Sequence, residues 1–271
     1  MNYSILMSVY LKESKRNLEQ CLASLYLQSL PPKEIILVLD GSLTNELYST
    51  IGRWQSKLPI VTVQLEKNVG LGKALNIGLS YCSHELVARM DTDDLCMPFR
   101  FQRQVEQFIK FPELDICGTY IKEFDEYPNK ILSKRKTPLS HVDIKKKCVV
   151  INPFNHMTVM YKKTAVENAG GYLHMPWMED WYLWLRMISN NSNTINIPEC
   201  LVKARTGLSM IERRSGFGYI KSEWALTKIK VSLKLASWPK ATVIFFLRSL
   251  PRIVPRKLLL RLYKVSRWRS V

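Results

Sequence analysis

The sequence has no long hydrophobic run, and this absence argues against a membrane-spanning helix. A helix that crosses a bilayer needs about 18 consecutive apolar residues, whereas the longest late candidate covers only residues 241–247. The first ten residues lack a basic leader, and their apolar run has the length of a strand. We therefore expect no secretory signal and a cytoplasmic protein.

Paired cysteines are also absent. Six cysteines are scattered through the 271 residues, and no two of them form a CxxC pair. This pattern argues against a zinc site and is typical of reduced thiols in a cytoplasmic protein. The apolar and charged fractions are those of a folded globular chain, and the length is sufficient for a full core.

Acidic residues are scarce, and they disappear completely near the carboxyl terminus. The chain has 23 Asp and Glu against 40 Lys and Arg, which gives a formal net charge of +17. A charge of this size indicates an anionic partner: nucleic acid, an acidic membrane surface or a phosphorylated substrate. After Glu223 there is no acid, and twelve Lys and Arg are interleaved with large apolar residues.

This tail predicts basic amphipathic helices over residues 221–271, which associate with an anionic membrane. Trp238 and Trp268 are candidate interfacial anchors. The alternative is a helix packed on the body with a solvated basic face. A nucleic-acid-binding protein would need exposed aromatic residues along a basic groove. Because the densest basic region is strongly apolar, we favour lipid and expect no nucleic-acid partner.

The first half of the chain alternates strands with helices. Apolar runs predict strands over residues 3–10, 34–39, 60–65 and 85–90, and helical spacing predicts helices over 17–28, 44–56, 73–81 and 98–110. Such alternation without tight hairpins predicts a parallel, doubly wound sheet. Right-handed crossovers then place the strand ends at Tyr10, Asp40, Asn68 and Asp91 along one edge, where ligands bind.

The second half loses this regular alternation. Strands are predicted over residues 114–124, 156–161, 193–197 and 200–204, and helices over 163–168 and 179–189. Residues 125–137 are a polar, lysine-rich connection, and residues 140–150 form a basic helix or loop. Gly170 and Gly171 are suited to end the short helix.

The apolar run of residues 85–90 stops abruptly in Asp91-Thr92-Asp93-Asp94. Three carboxylates at one strand end repel one another unless a cation lies among them. A hard divalent ion, shared with water and substrate phosphates, fits this pattern. The alternative is that Asp93 or Asp94 caps the next helix, with Asp91 as a loop acid. The glycine turn of residues 68–73 lies on the same sheet edge, so a nucleotide diphosphate with a metal is the expected ligand.

Five motifs in order give the chain a resemblance to the family 2 glycosyltransferases, which have the GT-A fold. The resemblance covers about residues 3–215. It departs at Leu39, where many relatives carry Asp, at Lys12 and Glu13, where they often carry Asn, and at Thr206-Gly207. The matching segments are Ser8-Val9-Tyr10 with Gln20 to Gln28, Asp40-Gly41-Ser42, Asn68-Val69-Gly70-Leu71-Gly72-Lys73, Asp91-Thr92-Asp93-Asp94 and Glu179-Asp180-Trp181.

The resemblance implies a role for each matched position. Asp93, with Asp91, would hold Mn²⁺ or Mg²⁺. Asp180 would be the general base and Glu179 its alternative, although an acid pair stabilised by the helix dipole also explains them. The expected acceptor-binding residues are His156, Trp177 and Trp181, although a structural role for His156 is slightly favoured. The expected nucleotide-sugar contacts are Val9, Tyr10, Asp40, Lys73, Asp91, Thr92, Asp93 and Arg205.

The expected fold is therefore α/β of the GT-A type: a Rossmann-like, mostly parallel sheet with a mixed acceptor half. Residues 1–119 would bind the nucleotide sugar, residues 120–220 the acceptor, and residues 221–271 the membrane. The resemblance implies an inverting enzyme that forms a β linkage from a UDP-sugar, with galactose favoured over glucose. Relatives of this kind build O-antigen or exopolysaccharide repeat units on undecaprenyl diphosphate, at the inner face of the inner membrane.

Overall fold

A computed structural model describes residues 1–206 and 216–253. The first half has the expected alternation of strand and helix. Each observed element begins and ends within two residues of its predicted bounds. Its elements are β1 (Tyr3–Val9), α1 (Lys15–Tyr26), β2 (Glu34–Leu39), α2 (Asn45–Gln55), β3 (Ile60–Gln64), α3 (Leu71–Tyr81) and β4 (Leu86–Arg89).

The second half mixes short strands and helices, followed by a pair of longer helices. The predicted tail beyond residue 253, including Trp268, lies outside the described residues. Its elements are β5 (Leu95–Cys96), α4 (Arg100–Lys110), β6 (Ile116–Phe124), β7 (Ile131–Arg135), α5 (His141–Lys147), β8 (Met160–Lys162), α6 (Lys163–Asn168), α7 (Glu179–Ser189), β9 (Thr194–Arg205), α8 (Phe217–Ser232) and α9 (Trp238–Ile253).

All these strands join one sheet in the order β3-β2-β1-β4-β8-β6-β9-β5, with β7 paired to β6. The β1, β2, β3 and β4 strands are parallel to one another, as expected. The β8 strand runs antiparallel between β4 and β6, and β6 is parallel to β9. The carboxyl ends of β4, β6 and β9 therefore reach the same edge of the sheet.

Both faces of the sheet are covered at β1, β2 and β4, which explains why these strands are continuous apolar runs. On one face, α1, α2 and α4 pack on strand residues such as Ile5 and Met7. On the other face, α3 and α7 pack on residues such as Leu6 and Ile36. Alternate residues of β1 thus enter opposite cores, and the doubly wound expectation is confirmed.

Three predictions in the second half need correction. The segment predicted as a strand over 156–161 begins with a 3₁₀ turn, His156–Thr158, and only Met160–Lys162 is strand. The two strands predicted over 193–204 are one strand, β9, whose register shifts near Pro198. The polar connection contains β7, an edge strand that shows no apolar alternation because most of its side chains are exposed.

The α8 and α9 helices pack against each other and against α7. Among the helices of the described residues, none combines the length and hydropathy that crossing a membrane requires.

Candidate active site

Three carboxylates meet at the carboxyl end of β4. Oxygen atoms of Asp91, Asp93 and Asp94 all lie within 4.8 Å of one another. The buried Arg89, which is the last residue of β4, forms an ion pair with Asp91. The α4 helix has Phe99 as its N-cap and no side-chain cap hydrogen bond, so neither Asp93 nor Asp94 caps it. The capping explanation of these acids is therefore wrong.

The electrostatics of the cluster show that Arg89 compensates only part of its negative charge. Burial raises the pKa of Asp93 to about 7, and the carboxylates of Asp91 and Glu13 add to the rise. Burial also raises the pKa of Asp94 well above its usual range. One oxygen of Asp94 accepts the backbone N–H of Arg205 at 2.7 Å, while its buried Oδ2 has no hydrogen-bond partner among the described residues. A set of hard oxygen donors with an unpaired buried atom fits a divalent cation such as Mn²⁺ or Mg²⁺.

Arg205, at the end of β9, holds the turn that carries these acids. Its Nε donates to the carbonyl of Asp93 at 3.1 Å, and its Nη2 donates to Gln20 at 2.8 Å. The guanidinium also lies over the ring of Phe124, 4.6 Å from the centroid. The structure therefore shows Arg205 supporting the acid turn, and its expected phosphate contact stays a prediction.

Asp40 has an equally well-defined position at the end of β2. Its carboxylate accepts the backbone N–H groups of Val69 and Gly70, at 2.7 and 3.1 Å, and the side-chain amide of Asn68 at 3.0 Å. Gly70 has a φ of 87°, a conformation that favours glycine. Asp40 thus fixes the glycine turn that starts α3, and its predicted contact with a uracil ring is not tested by this geometry.

The first turn of α3 lies close to the acid pair Glu179 and Asp180 at the start of α7. A Cβ atom added to Gly72 would lie 3.2 Å from the Cβ of Glu179, the first residue of α7. A side chain at residue 72 would therefore push α7 away. Lys73 follows in the same turn and is exposed. Its ammonium and the helix N-terminus together are suited to an anion.

Glu179 and Asp180 open α7, as the sequence predicts. Burial raises the pKa of Glu179 to about 7, with Asp180 and, more weakly, Asp91 adding to the rise. A helix N-terminus lowers the pKa of a carboxyl group, which opposes this rise. Asp180 accepts from the amide of Asn152 at 2.7 Å, which fixes the orientation of its carboxylate.

The expected acceptor residues have three different environments. His156 is half-buried, and its Nε2 lies 3.1 Å from the hydroxyl of Tyr172. Burial, assisted by the positive charge of Arg89, lowers the His156 pKa well below its usual value, so the ring is neutral at pH 7. Trp177 is exposed and packs against Tyr219 of α8. It remains available to a ligand.

The position of Trp181 contradicts the expectation that this residue contacts the acceptor. Its side chain is only 3% exposed, and its indole N–H donates to the carbonyl of Cys148 at 2.7 Å. The cations of Lys230 and Arg248 lie 4.3 and 4.4 Å from its ring centroid. Trp181 therefore supports α7 from within the core.

The remaining expected contacts lie at the ends of β1 and β4. Val9 is buried, and Tyr10 beside it is exposed. The hydroxyl of Thr92 donates to Glu13 at 2.6 Å, so Thr92 ties the acid turn to the loop after β1. Their contacts with a nucleotide stay predictions.

Sequence reasoning missed three residues that shape this site: Arg89, Glu13 and Asn152. Arg89 neutralises Asp91, Glu13 raises the negative charge around Asp93, and Asn152 orients Asp180. A signal was available for the first one, because an arginine that ends a buried apolar strand needs a charged partner. The other two come from distant loops and had no such signal.

The sequence of this chain is similar to those of several known proteins. The profile of glycosyl transferase family 2 matches residues 4–168. The amylovoran biosynthesis glycosyltransferase AmsE of Erwinia amylovora is 44% identical over 98% of this chain and 99% of its own length. A UDP-Gal:alpha-D-GlcNAc-diphosphoundecaprenol beta-1,3-galactosyltransferase of Escherichia coli is 38% identical over 82% of this chain and 80% of its own.

A solved structure shows the same fold. The crystal structure of S. aureus TarS superposes with a TM-score of 0.67 at 18% identity, and the match covers 93% of this chain and 43% of that one. The expected GT-A fold is thus confirmed. Because the family profile covers more than half of the chain and AmsE is similar along almost all of it, this protein is a glycosyltransferase and belongs to glycosyl transferase family 2.

Proposed function

We propose that this enzyme is an inverting, metal-dependent hexosyltransferase. It transfers galactose from UDP-galactose, in β linkage, to a sugar linked to undecaprenyl diphosphate, in the synthesis of O-antigen or a related polysaccharide. One observation carries the proposal: Glu179 lies against Gly72 at the start of α3 and is close enough to Asp91 for the charge of that carboxylate to act on it, so the two groups of acids are near each other. The name of the Escherichia coli relative supports the choice of donor and acceptor.

The donor side has the groups that a nucleoside diphosphate sugar needs. Asp91, Asp93 and Asp94 would hold Mn²⁺ or Mg²⁺, which supplies charge stabilisation for the leaving diphosphate. Asp40 holds the backbone turn that begins α3, and Lys73 lies exposed in that turn for phosphate contact. Tyr10, exposed at the end of β1, is suited to stack on the base.

The acceptor side has a carboxylate pair to remove a proton. A general base acts best when its pKa is near the working pH. Asp180 is the base in this proposal, because the amide of Asn152 fixes its direction. Glu179 is the alternative, because its pKa is raised to about 7. The exposed face of Trp177 would pack against the acceptor sugar.

The membrane association of the enzyme belongs to α9. Val243, Phe246, Leu247 and Leu250 have helical spacing and are between 56% and 67% exposed. An exposed apolar stripe on a helix in a basic segment is typical of an interfacial membrane helix. We place the enzyme on the inner face of the cytoplasmic membrane, where a lipid-linked acceptor is within reach.

A donor and acceptor panel tests this function. The purified enzyme is incubated with Mn²⁺, with UDP-galactose, UDP-glucose or UDP-N-acetylglucosamine, and with a GlcNAc-diphosphate-lipid analogue. We expect the highest kcat/KM with UDP-galactose and a β anomeric signal in the product by NMR. Transfer of another hexose in preference would replace the donor assignment. An α product, or full activity in a metal chelator, would refute the proposed mechanism.

A further inference from the structure

A second cleft, of about 670 Å³, lies between the start of α4 and the strands β6, β7 and β9. None of the acids described above lines it. Four cationic side chains and one carboxylate contribute its charge. They are Arg103, Lys122, Lys134, Lys136 and Glu199.

The charges of this lysine cleft are poorly compensated. Lys134 lies directly opposite Lys122 in the antiparallel pairing of β7 with β6. Like charges at opposed positions are destabilising. Glu199 is paired with Arg103, at 3.8 Å. Within residues 1–206 and 216–253, the three lysines form no salt bridge. A net positive charge therefore remains in the cleft.

The three lysines are close enough to Cys200 to act on it together. Although burial raises the pKa of the Cys200 thiol, the charges of Lys134, Lys122 and Lys136 all oppose that rise. Cys200 lines the cleft and is paired with Tyr120 in the ladder between β9 and β6. The three positive charges thus act on one part of the cleft, and the side chains of Lys134 and Lys136 are accessible to a ligand from solvent.

Part of the cleft wall is apolar. Phe99, at the start of α4, is 59% exposed and lines the cleft together with Pro198 and Leu201. Ile131 and Leu132, the first residues of β7, are also exposed. A ligand that carries both a phosphate and an apolar part would match lysines and walls together. Lysine binds phosphate as a point charge, without the planar geometry that arginine requires.

We propose that the lysine cleft is a phosphate-binding site separate from the acid site. The phosphate can come from the headgroup of an anionic membrane lipid or from a soluble phosphate compound. In the first case the cleft fixes the catalytic domain against the membrane in addition to α9, and this part rests on the proposed membrane association. In the second case it senses a soluble anion.

Two binding measurements test the site, with one variant and one matched control. The variant replaces Lys122, Lys134 and Lys136 by Gln, and the control replaces Lys145, Lys146 and Lys147, which are exposed on α5. Both proteins lose three positive charges. Cosedimentation uses vesicles of phosphatidylglycerol and phosphatidylcholine, and calorimetry uses inorganic phosphate with a chelator present so that the acid site binds no metal.

We expect the cleft variant to lose at least about tenfold in binding to one of the two probes, relative to the control variant. A loss with vesicles identifies the lipid source, and a loss with inorganic phosphate alone identifies the soluble source. Replacement of the same three lysines by Arg should retain the binding. If the cleft variant and the control bind both probes equally, the proposal is wrong.

The proposed transferase activity can fail independently of this test. The cleft variant should transfer sugar to a water-soluble acceptor analogue at the rate of the unmodified enzyme. Loss of phosphate binding with an intact transfer rate therefore supports the cleft. Absence of any transfer by the unmodified enzyme would refute the proposed function and leave the binding result valid.

Discussion

Asp93 and Asp94 are held close together at a cost to the metal-free protein. The pKa of Asp93 is about 7 in the folded chain and about 4 in an unfolded one. The folded state thus binds a proton that the unfolded state has lost. Protonation of Asp93 therefore stabilises the folded state fully below about pH 4, and this stabilisation is lost as the pH rises through about 7. Ionised carboxylates without a cation then oppose folding.

Asp93→Asn should therefore raise the melting temperature of the metal-free enzyme at pH 8 and flatten its decline between pH 5 and 8. Mn²⁺ should stabilise the unmodified enzyme, increasingly above pH 6, because a ligand that binds only the folded state raises its stability. The variant should lose most of that stabilisation. Glu126→Gln, at an exposed position, is the control. If Mn²⁺ raised the melting temperature of both variants equally, Asp93 would not be a metal ligand.

Glu179 and Asp180 should differ in their effect on pH dependence. A general base contributes about 10²- to 10⁴-fold to the rate, so Asp180→Asn should lower kcat by that factor and leave UDP binding nearly unchanged. The rise of kcat with pH near 7 belongs to Glu179 in this scheme, because its pKa is about 7. Glu179→Gln should remove that rise. Steady-state measurements of kcat against pH distinguish the two roles. If Glu179→Gln caused the large loss of kcat and Asp180→Asn removed only the pH-dependent rise, Glu179 would be the base.

The principal acids of the site could be predicted from the sequence, and their partners could not. Asp91, Asp93 and Asp94 end an apolar run, which a local pattern detects, whereas Glu179 and Asp180, at the start of an aromatic helix, were singled out by the family resemblance. The bond from Thr92 to Glu13 joins residues 79 apart, and that from Asn152 to Asp180 joins residues 28 apart. Such contacts depend on how loops pack, which no local spacing encodes.

At the scale of elements, α7 is held from behind by α8 and α9. Arg248 donates to both carboxylate oxygens of Glu223, at 2.6 to 3.1 Å, and Glu223 is fully buried. The same guanidinium lies over the ring of Trp181 and donates to the carbonyl of Val150. Glu223 is the last acid of the chain. This single acid thus fixes Arg248 between α8 and α9, and the guanidinium contacts α7.

Arg248→Met should destabilise the enzyme by about 3 kcal/mol, because it leaves a buried carboxylate without its cation. The nearby Lys230 limits this loss of stability, because its positive charge also interacts with Glu223. Chemical denaturation measures the loss, and Lys240→Met, at an exposed position of α9, is the control. Adding Glu223→Gln to Arg248→Met should recover much of the stability. A double variant that is no more stable than Arg248→Met would show that the ion pair is not the cause.

The sequence predicts elements well where one physical signal dominates. Strands β1, β2 and β4 are buried on both faces, so each is a clear apolar run between helices. In the second half, β7 is an exposed edge and β9 is interrupted by Pro198, which shifts its register. Pairing with β6 specifies these strands, and that information lies outside their own residues.

For the whole molecule, two of the described surfaces combine positive charge with exposed apolar residues. One is the lysine cleft on β6 and β7, and the other is the region of α9, where apolar residues face outward. Charge attracts the protein to an anionic surface over about 8 Å at physiological salt, and apolar side chains provide short-range binding. The two surfaces therefore make different predictions for salt.

Phe246→Ser with Leu247→Ser should release the enzyme from phosphatidylglycerol vesicles. Both side chains are more than half exposed, so the folded protein loses little stability, while each lost insertion costs about 1.5 kcal/mol, or about tenfold in partitioning. The matched control replaces Leu27 and Val142, which are 67% and 73% exposed elsewhere on the surface, by Ser. The deficit of the α9 variant should persist at high salt, because apolar contacts are not screened. Unchanged vesicle binding, or a shift from dimer to monomer by analytical ultracentrifugation, would show that the stripe contacts protein and not lipid.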